Sequence, residues 1–182
     1  MPAAKRISKE AIIDAAAAVL RTGGFEAINA RSVAKALGCS TQPIYLSFRN
    51  MEELKSALTQ QAIEQHTQRV RESLRAHEGC DSRYSSYGMG FVQFAAQEKQ
   101  LFRWLYLEDN QPGRHQEDVL EPEIIRTVMD EFGYDEVTAR AFHRDMTYYS
   151  YGLAILANTG HLALTETELR EAFRREFRAL AA

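Results

Sequence analysis

Residues 31–49 concentrate side chains that recognise other molecules through hydrogen bonds and positive charge. The middle of this segment supplies two hydroxyl groups, an amide and a phenol, at Thr41, Ser47, Gln42 and Tyr45. An amide can pair in a bidentate manner with adenine, whereas guanidinium and phenol groups suit phosphate oxygens, which set register without reading sequence. We therefore interpret the segment as a DNA-reading surface with Gln42 as its candidate base contact. The candidate phosphate contacts are Arg31, Tyr45 and Arg49.

Two short helices joined by a glycine-containing turn must position these side chains. The first is predicted over about residues 31–37, and the Gly-Cys-Ser turn follows at residues 38–40. The second is predicted over about residues 41–48, because Pro43 is tolerated in a first helical turn. The apolar residues that fix the angle between the two helices are Val33, Leu37, Ile44 and Phe48. Such a pair is a helix-turn-helix unit, whose second helix enters the major groove.

Two further helices flank this unit. Ser8 is a suitable N-cap for a helix that ends at Gly23-Gly24, and Phe25 and Ile28 then anchor the connection. Asn50, with Glu53 three residues later, forms a capping-box pattern, which predicts a long fourth helix to about residue 76. We therefore predict a helix-turn-helix DNA-binding domain of three helices over residues 1–55.

The remainder of the chain is also predicted to be helical. Helical patterns cover about residues 82–97, 99–107, 121–131, 135–158 and 165–180, with breaks at Gly79, residues 111–114, Gly133 and residues 159–160. No segment shows the alternation of a strand. The predicted fold class is all-α, with a helical effector-binding and dimerisation domain over residues 56–182.

Charge is distributed unevenly along the 182 residues. Residues 1–55 hold eight Lys/Arg against five Asp/Glu, whereas the remainder holds 14 against 20, and the net charge is −3. A basic head on an acidic body allows contact with phosphates at one end of the molecule only. The basic excess is small, so charge supports DNA binding without establishing it.

Several protein classes are disfavoured by the sequence. No apolar run approaches the roughly 20 residues of a membrane span, and the basic start lacks the apolar region of a signal peptide. Cys39 and Cys80 form no CxxC pair and the five histidines show no metal-ligand spacing, so we predict no metal, no cofactor and a cytoplasmic location. No nucleophile elbow, P-loop, GxGxxG or HExxH motif occurs, so we do not expect an enzyme.

The segment AAAAVLRTGGFEAINARSVAKALGCSTQPIYLSFRNMEELKSAL resembles the TetR family of repressors. The likeness includes the Gly-Phe after the first helix, the Ala-Leu-Gly-Cys-Ser turn, the Ile-Tyr-x-x-Phe of the second motif helix and the Asn-x-x-Glu-Leu that follows. It covers about residues 8–60 and continues more weakly into residues 91–107 and 150–160. The resemblance implies a homodimer held by its last two long helices and a ligand cavity in each body that releases DNA when filled.

The candidate DNA contacts combine this resemblance with the chemistry above. By position, the family likeness places Arg31, Thr41, Gln42, Pro43, Tyr45, Ser47 and Arg49 against DNA. Ser32 is added beside Arg31, and Lys5 and Arg6 are predicted to form a basic arm along the DNA backbone or minor groove. The chain departs from the family at Met51, where many members carry a lysine that contacts phosphate. That single contact is therefore in doubt.

The body is rich in large aromatic residues, which suit an apolar or aromatic pocket. The predicted effector contacts are Phe91, Trp104, Met146 and Tyr149. Residues 148–156 make their helix apolar on nearly all faces, and the last helix carries an apolar stripe, so both are predicted to pack against a second subunit. The predicted dimer contacts are Tyr151, Ile155, Leu169, Phe173 and Phe177.

The function predicted from these features is a repressor that binds a near-palindromic operator as a dimer. A small hydrophobic or aromatic effector would shift the population toward a form whose two heads no longer match successive major grooves. A helical dimeric adaptor without DNA binding is the main alternative, and an all-helical enzyme is a weaker one. Activation instead of repression stays open, as do the effector, the operator and the regulated genes.

Overall fold

The computed structural model describes residues 7–75, 82–108 and 112–181. Within these ranges the chain forms helices and no strand, which confirms the all-α fold class. The helices are α1 (Lys9–Gly23), α2 (Ala30–Leu37), α3 (Gln42–Ser47), α4 (Met51–Arg75), α5 (Arg83–Gln97), α6 (Lys99–Phe102), α7 (Pro112–Phe132), α8 (Glu136–Thr159) and α9 (Glu166–Leu180). A 3₁₀ turn, Phe25–Ala27, follows α1, and a π-helical turn, Arg103–Leu107, continues α6. None of the described helices has the length and apolarity that a bilayer crossing requires.

Polar caps begin the helices close to where the sequence places them. The side chains of Ser8, Asp135 and Thr165 each accept a hydrogen bond from the first turn of α1, α8 and α9. At the start of α4 only half of the predicted capping box forms. In this half, Asn50 Oδ1 accepts a hydrogen bond from the Glu53 N–H at 2.9 Å. The Glu53 carboxylate accepts instead from the Arg49 N–H, at 2.8 Å.

Helix α7 begins earlier than its sequence pattern indicates. The predicted loop at residues 111–114 is wrong from Pro112 onward, and the predicted helix start at residue 121 is also wrong. A proline at the first helical position loses no hydrogen bond, so Pro112 starts the helix instead of interrupting it. Pro122 lies in the helix interior, where proline removes one backbone donor. The predicted breaks at Gln111 and Gly79 lie outside the described residues.

Helix α5 is the central element of the body and packs against α4, α7, α8 and α9. Its first turn is held by Glu131 of α7, whose carboxylate accepts from the Arg83 N–H at 2.8 Å and the Tyr84 N–H at 3.0 Å. The Arg83 side chain donates to the same carboxylate at 2.9 Å. Partial burial raises the pKa of Glu131, but these donors outweigh it and hold the pKa below its ordinary value.

Helix α9 lies in close contact with α5 because Gly88 has no side chain. A Cβ atom built on Gly88 would lie 2.5 Å from Cε1 of Phe173, which is almost completely buried. Leu169, one turn before Phe173, is buried as well. The α9 stripe is therefore used inside the protomer.

This packing bears on the predicted dimer seam. Leu169 and Phe173 are buried within the protomer, and the half-buried Phe177 packs on the rings of Tyr84 and Phe142. The apolar stripe that the sequence pattern indicates packs on α5, and its contact with a second subunit stays a prediction. The exposed apolar residues of α8 are Val137, Tyr148, Ile155 and Leu156.

Two histidines of the body are held in the neutral form. Burial, followed by the nearby charge of Arg69, lowers the pKa of His66 to about 4. Burial likewise lowers the pKa of His143 to about 4, although Glu121 opposes the shift. The His143 Nδ1 lies 2.7 Å from the phenol oxygen of Tyr84, whose own pKa is raised by burial.

We predict that Gly88→Ala lowers the free energy of unfolding by about 1–3 kcal/mol, because the new methyl group forces the buried Phe173 ring aside. The matched control is Gly152→Ala in α8, where a Cβ atom would meet nothing within 4 Å. That change should stabilise the helix by roughly 0.5–1 kcal/mol. Urea unfolding followed by circular dichroism measures both. Equal effects of the two substitutions would contradict the close α5–α9 contact.

We further predict that stability falls as the pH drops from about 6.5 to about 4. When the pH falls below the ordinary pKa of histidine, the imidazole binds a proton in the unfolded chain but stays neutral while it is buried in the fold. Protonation therefore favours the unfolded chain. In His66→Phe this fall should be smaller by up to about 3 kcal/mol. Urea unfolding at pH 7 and pH 4 measures the difference, with His161→Phe at an exposed position as control. An identical fall in wild type and His66→Phe would refute the prediction.

Candidate nucleic-acid interface

The turn between α2 and α3 is built by local hydrogen bonds. Asn29 caps α2 by accepting from the Arg31 and Ser32 N–H groups, each at 3.0 Å, and Ser32 Oγ accepts in return from the Asn29 N–H at 3.1 Å. Gly38 ends the helix with a φ of +66°, in the left-handed region where other residues are strained. The Cys39 N–H then donates to the Ala34 carbonyl at 3.0 Å and closes the turn. These contacts fix the direction in which α3 leaves α2.

Helix α3 presents one apolar and one polar face. Ile44 and Phe48 are buried against the head, as the sequence pattern predicts. The opposite face exposes Gln42 and 55% of Tyr45. Thr41, Pro43 and Ser47 lie at its margins and are half-buried. The structure thus brings the predicted base contact and a predicted phosphate contact onto one exposed face.

The remaining predicted DNA contacts differ in how exposed they are and in whether other residues already bind them. Arg31 is exposed at the start of α2, whereas the Ser32 hydroxyl donates to the Ala27 carbonyl at 2.7 Å and is committed to the α2 cap. The Arg49 side chain is highly exposed, yet its Nε lies 3.2 Å from Glu53. Hydrogen bonds from Arg49 hold the pKa of the Glu53 carboxyl below its ordinary value, so the carboxylate keeps its charge. Lys5 and Arg6 lie outside the described residues.

One residue of the exposed face is absent from the sequence predictions. Leu46 is 79% exposed and lies between Tyr45 and Ser47 on the outer side of α3. An exposed aliphatic side chain on such a helix can contact the methyl group of thymine. Its position in the sequence could have indicated this exposure, because Leu46 does not lie on the buried stripe formed by Ile44 and Phe48. Sequence reasoning sought hydrogen-bonding and charged side chains, together with the family positions, and so missed it.

The head is joined to the body through α6 and the turn that follows it. Arg21 of α1 pairs with Glu98 at 3.0 Å, immediately before α6. Phe25 packs edge-to-face on the buried Trp104 ring of the π-helical turn. A third link joins Gln61 of α4 to Asp14 of α1, at 3.1 Å. Trp104, a predicted effector contact, therefore lies at the junction between head and body.

A buried amide holds this junction in place. Asn158 of α8 is 1% exposed, and its Nδ2 donates to the Ala95 carbonyl at 2.9 Å and the Lys99 carbonyl at 3.0 Å. Its Oδ1 accepts from Nε of Arg103 at 3.0 Å. Both carbonyls flank the break between α5 and α6, where regular helical partners are missing. One side chain thus fixes the corner between α5 and α6, which the head contacts.

A narrow cavity lies between α5, α8 and α9. It has a volume of about 10 Å³, and the predicted effector contacts Phe91 and Met146 both line it. Trp104 does not reach it, and Tyr149 packs instead edge-to-face on Phe173. The structure thus brings two of the four predicted effector residues together. The cavity has space for about one water molecule and holds no larger ligand without rearrangement.

Comparisons with known proteins agree with this geometry. Residues 12–58 match the family model described as bacterial regulatory proteins, tetR family, which confirms the resemblance. The solved structure of the fatty acid degradation regulator FadR from Bacillus halodurans matches with a TM-score of 0.59 and 16% sequence identity. The match covers 94% of this chain and 93% of that chain, and it shows a shared all-α fold. No curated protein sequence matches the chain significantly. The family match supports a DNA-binding transcriptional regulator, and the structural match supports the fold.

We predict that Asn158→Ala lowers the free energy of unfolding by about 3 kcal/mol, because two buried carbonyls lose their donor. The matched control is Thr159→Ala, whose exposed hydroxyl bonds to carbonyls of its own helix and to Nδ1 of the exposed His161. That change should stay within about 0.5 kcal/mol of wild type. Thermal unfolding by calorimetry measures both variants. A loss in Asn158→Ala no larger than in the control would show that the amide is dispensable.

Proposed function

We propose that this chain, whose residues 12–58 match the tetR family model of bacterial regulatory proteins, represses transcription from a near-palindromic operator that it binds as a homodimer. The single observation that carries the proposal is the exposed face of α3. There Gln42 and Tyr45 project from a helix whose other side, with Ile44 and Phe48, is anchored in the head. Side chains on such a rigid helix can read base edges, because their positions are set before DNA arrives.

The proposed base contact, Gln42, lies at the start of α3, and the proposed phosphate contacts lie around it, with Tyr45 on the same helix face. Arg31 is exposed at the start of α2, and Arg49 is exposed after α3. Phosphate contacts at both ends of the motif would fix the register of α3 in the groove. The excess of basic residues in the head, against an acidic body, favours this end of the molecule for DNA.

Dimerisation is proposed to use α8. Tyr148 is 68% exposed, and Ile155 and Leu156 are also exposed on the same helix, although large apolar side chains are normally buried. Tyr151 is half-buried beside them. Two such helices from symmetric subunits could cover one another, and the two heads would then face two half-sites of an operator.

Release of DNA is proposed to follow effector binding in the body. The effector would be small and hydrophobic or aromatic, since aromatic rings surround the body cavities. Movement caused by the effector would reach the head through direct contacts, because Glu98 pairs with Arg21 and Trp104 packs on Phe25. An effector that prefers one position of α6 would thereby shift the population of head orientations.

We predict that Gln42→Ala combined with Tyr45→Ala abolishes specific DNA binding while the fold is kept, since both side chains are exposed. Loss of one bidentate contact in each subunit weakens binding by about 1–3 kcal/mol per site, or roughly 30-fold to 10⁴-fold in the dimer. Fluorescence anisotropy on the DNA upstream of the gene, against scrambled DNA and at two salt concentrations, measures the loss. Gln68→Ala, an exposed amide on α4 far along the body, is the matched control.

Two results would count against the proposal. Equal, weak binding to upstream and scrambled DNA, followed by no enriched site in a random-sequence selection, would favour a helical dimeric adaptor without DNA binding. Tight operator binding that no body ligand alters, although the ligand demonstrably binds, would leave the DNA-binding function standing but refute release by an effector.

A further inference from the structure

An open groove of about 440 Å³ lies between α4 and α5. Its volume falls within the range of about 300–1,000 Å³ that is typical of small-molecule sites. The groove is distinct from the narrow cavity between α5, α8 and α9, although Tyr87 and Phe91 contribute to both. The residues that define its chemistry are His66, Arg69, Val70, Tyr87, Phe91 and Phe94.

His66 is a buried polar group of this groove that lacks a partner. It is 7% exposed, and among the described residues its Nδ1 atom has no hydrogen-bond partner. Nearly all buried polar atoms in folded proteins are paired, so this atom requires an explanation. The imidazole packs on the Phe94 ring, with 4.6 Å between centroids, and against the edge of Tyr106. A polar atom set among aromatic rings suits a flat ligand that carries a hydrogen-bonding group.

Arg69 supplies the positive charge of the groove. It lies three residues after His66 on α4, so the two side chains share one face of the helix. It is exposed, and no carboxylate in the described part of the chain forms an ion pair with it. The planar guanidinium binds carboxylates through two parallel hydrogen bonds.

The two carboxylates that also line the groove already have partners. Glu98 pairs with Arg21 at 3.0 Å, and Glu72 accepts from Gln68 at 2.8 Å. Arg21 neutralises Glu98, whereas the Gln68 amide is neutral and leaves the negative charge of Glu72 in place. Arg69 is the arginine of the groove lining, and its guanidinium can pair with a ligand carboxylate.

We propose that this groove is the effector site and that the effector is an aromatic acid with a ring hydroxyl. The inference rests on the proposed function, which it makes more specific. The hydroxyl group bonds to Nδ1 of His66, the carboxylate pairs with Arg69, and the ring lies among Phe91 and Phe94. A hydroxyl can both donate and accept, so it satisfies either tautomer of the imidazole.

The position of His66 also couples the site to the head. Its Nδ1 is closed to solvent in the empty groove, so a ligand hydroxyl reaches it only when α4 and α5 move apart. Helix α4 runs without interruption from Met51, beside the helix-turn-helix unit, to Arg75 in the body. Movement of its far half therefore changes the orientation of the head.

The test uses isothermal titration calorimetry on the full-length protein with four probes. Two carry both groups, 4-hydroxybenzoate and 4-hydroxycinnamate, and two lack the hydroxyl, benzoate and cinnamate. We expect the hydroxylated acids to bind about tenfold more tightly than their matched acids. His66→Phe should remove this difference, and Arg69→Gln should weaken all four probes by about tenfold or more. Arg126→Gln, at an exposed arginine of α7 that does not line the groove, is the matched control that should leave all affinities unchanged.

Binding of none of the four probes overturns the proposal, as does binding that neither His66→Phe nor Arg69→Gln weakens. Because Arg69 is exposed, Arg69→Gln remains informative even where His66→Phe disturbs the fold. Operator binding measured on the same preparations separates the two proposals. Operator binding with no groove ligand overturns the effector site alone, whereas groove binding without any DNA binding overturns the regulator and leaves the ligand site.

Discussion

The Asn158 amide is the interaction on which the arrangement of head and body depends. It donates to the carbonyls of Ala95 and Lys99 and accepts from Arg103, so one buried side chain fixes the break between α5 and α6. Of the groups that hold the head, Glu98 lies in that break and Trp104 lies in the turn after α6. A buried amide with all three hydrogen bonds formed is directional, because any rotation of the corner leaves polar groups unpaired in the interior.

The position of helix α3 likewise depends on contacts with its neighbours. It has six residues, and no side chain caps its first turn, so it would not persist as an isolated helix. Burial of Ile44 and Phe48 and the α2–α3 turn hold it in place. The reading face is therefore as rigid as the head that supports it. The head in turn is fixed to the body through α1 and α4. A ligand that moved the body would therefore change the position of α3.

The sequence predicted the head more accurately than the body. In the head, local signals are strong, because Ser8, Gly38 and Asn50 each cap or end a helix and the structure places those boundaries accordingly. In the body, a proline at a first helical position looked like a loop, so the first turns of α7 were missed. Two of the predicted effector residues meet at one cavity, and His66 entered no prediction because a single histidine in a polar stretch carries no spacing signal.

The sequence by itself determined that the chain is helical, where most helices begin and which faces are apolar, because capping and periodicity act over a few residues. Only the tertiary structure decided what those faces meet. The stripe of Leu169 and Phe173 faces α5 because Gly88 has no side chain there, and nothing near Phe173 in the sequence encodes that contact. Likewise, the lone polar atom of His66 and the exposed charge of Arg69 become a site only because α5 closes the groove opposite them. Distant contacts depend on shape and volume, which a local pattern does not specify.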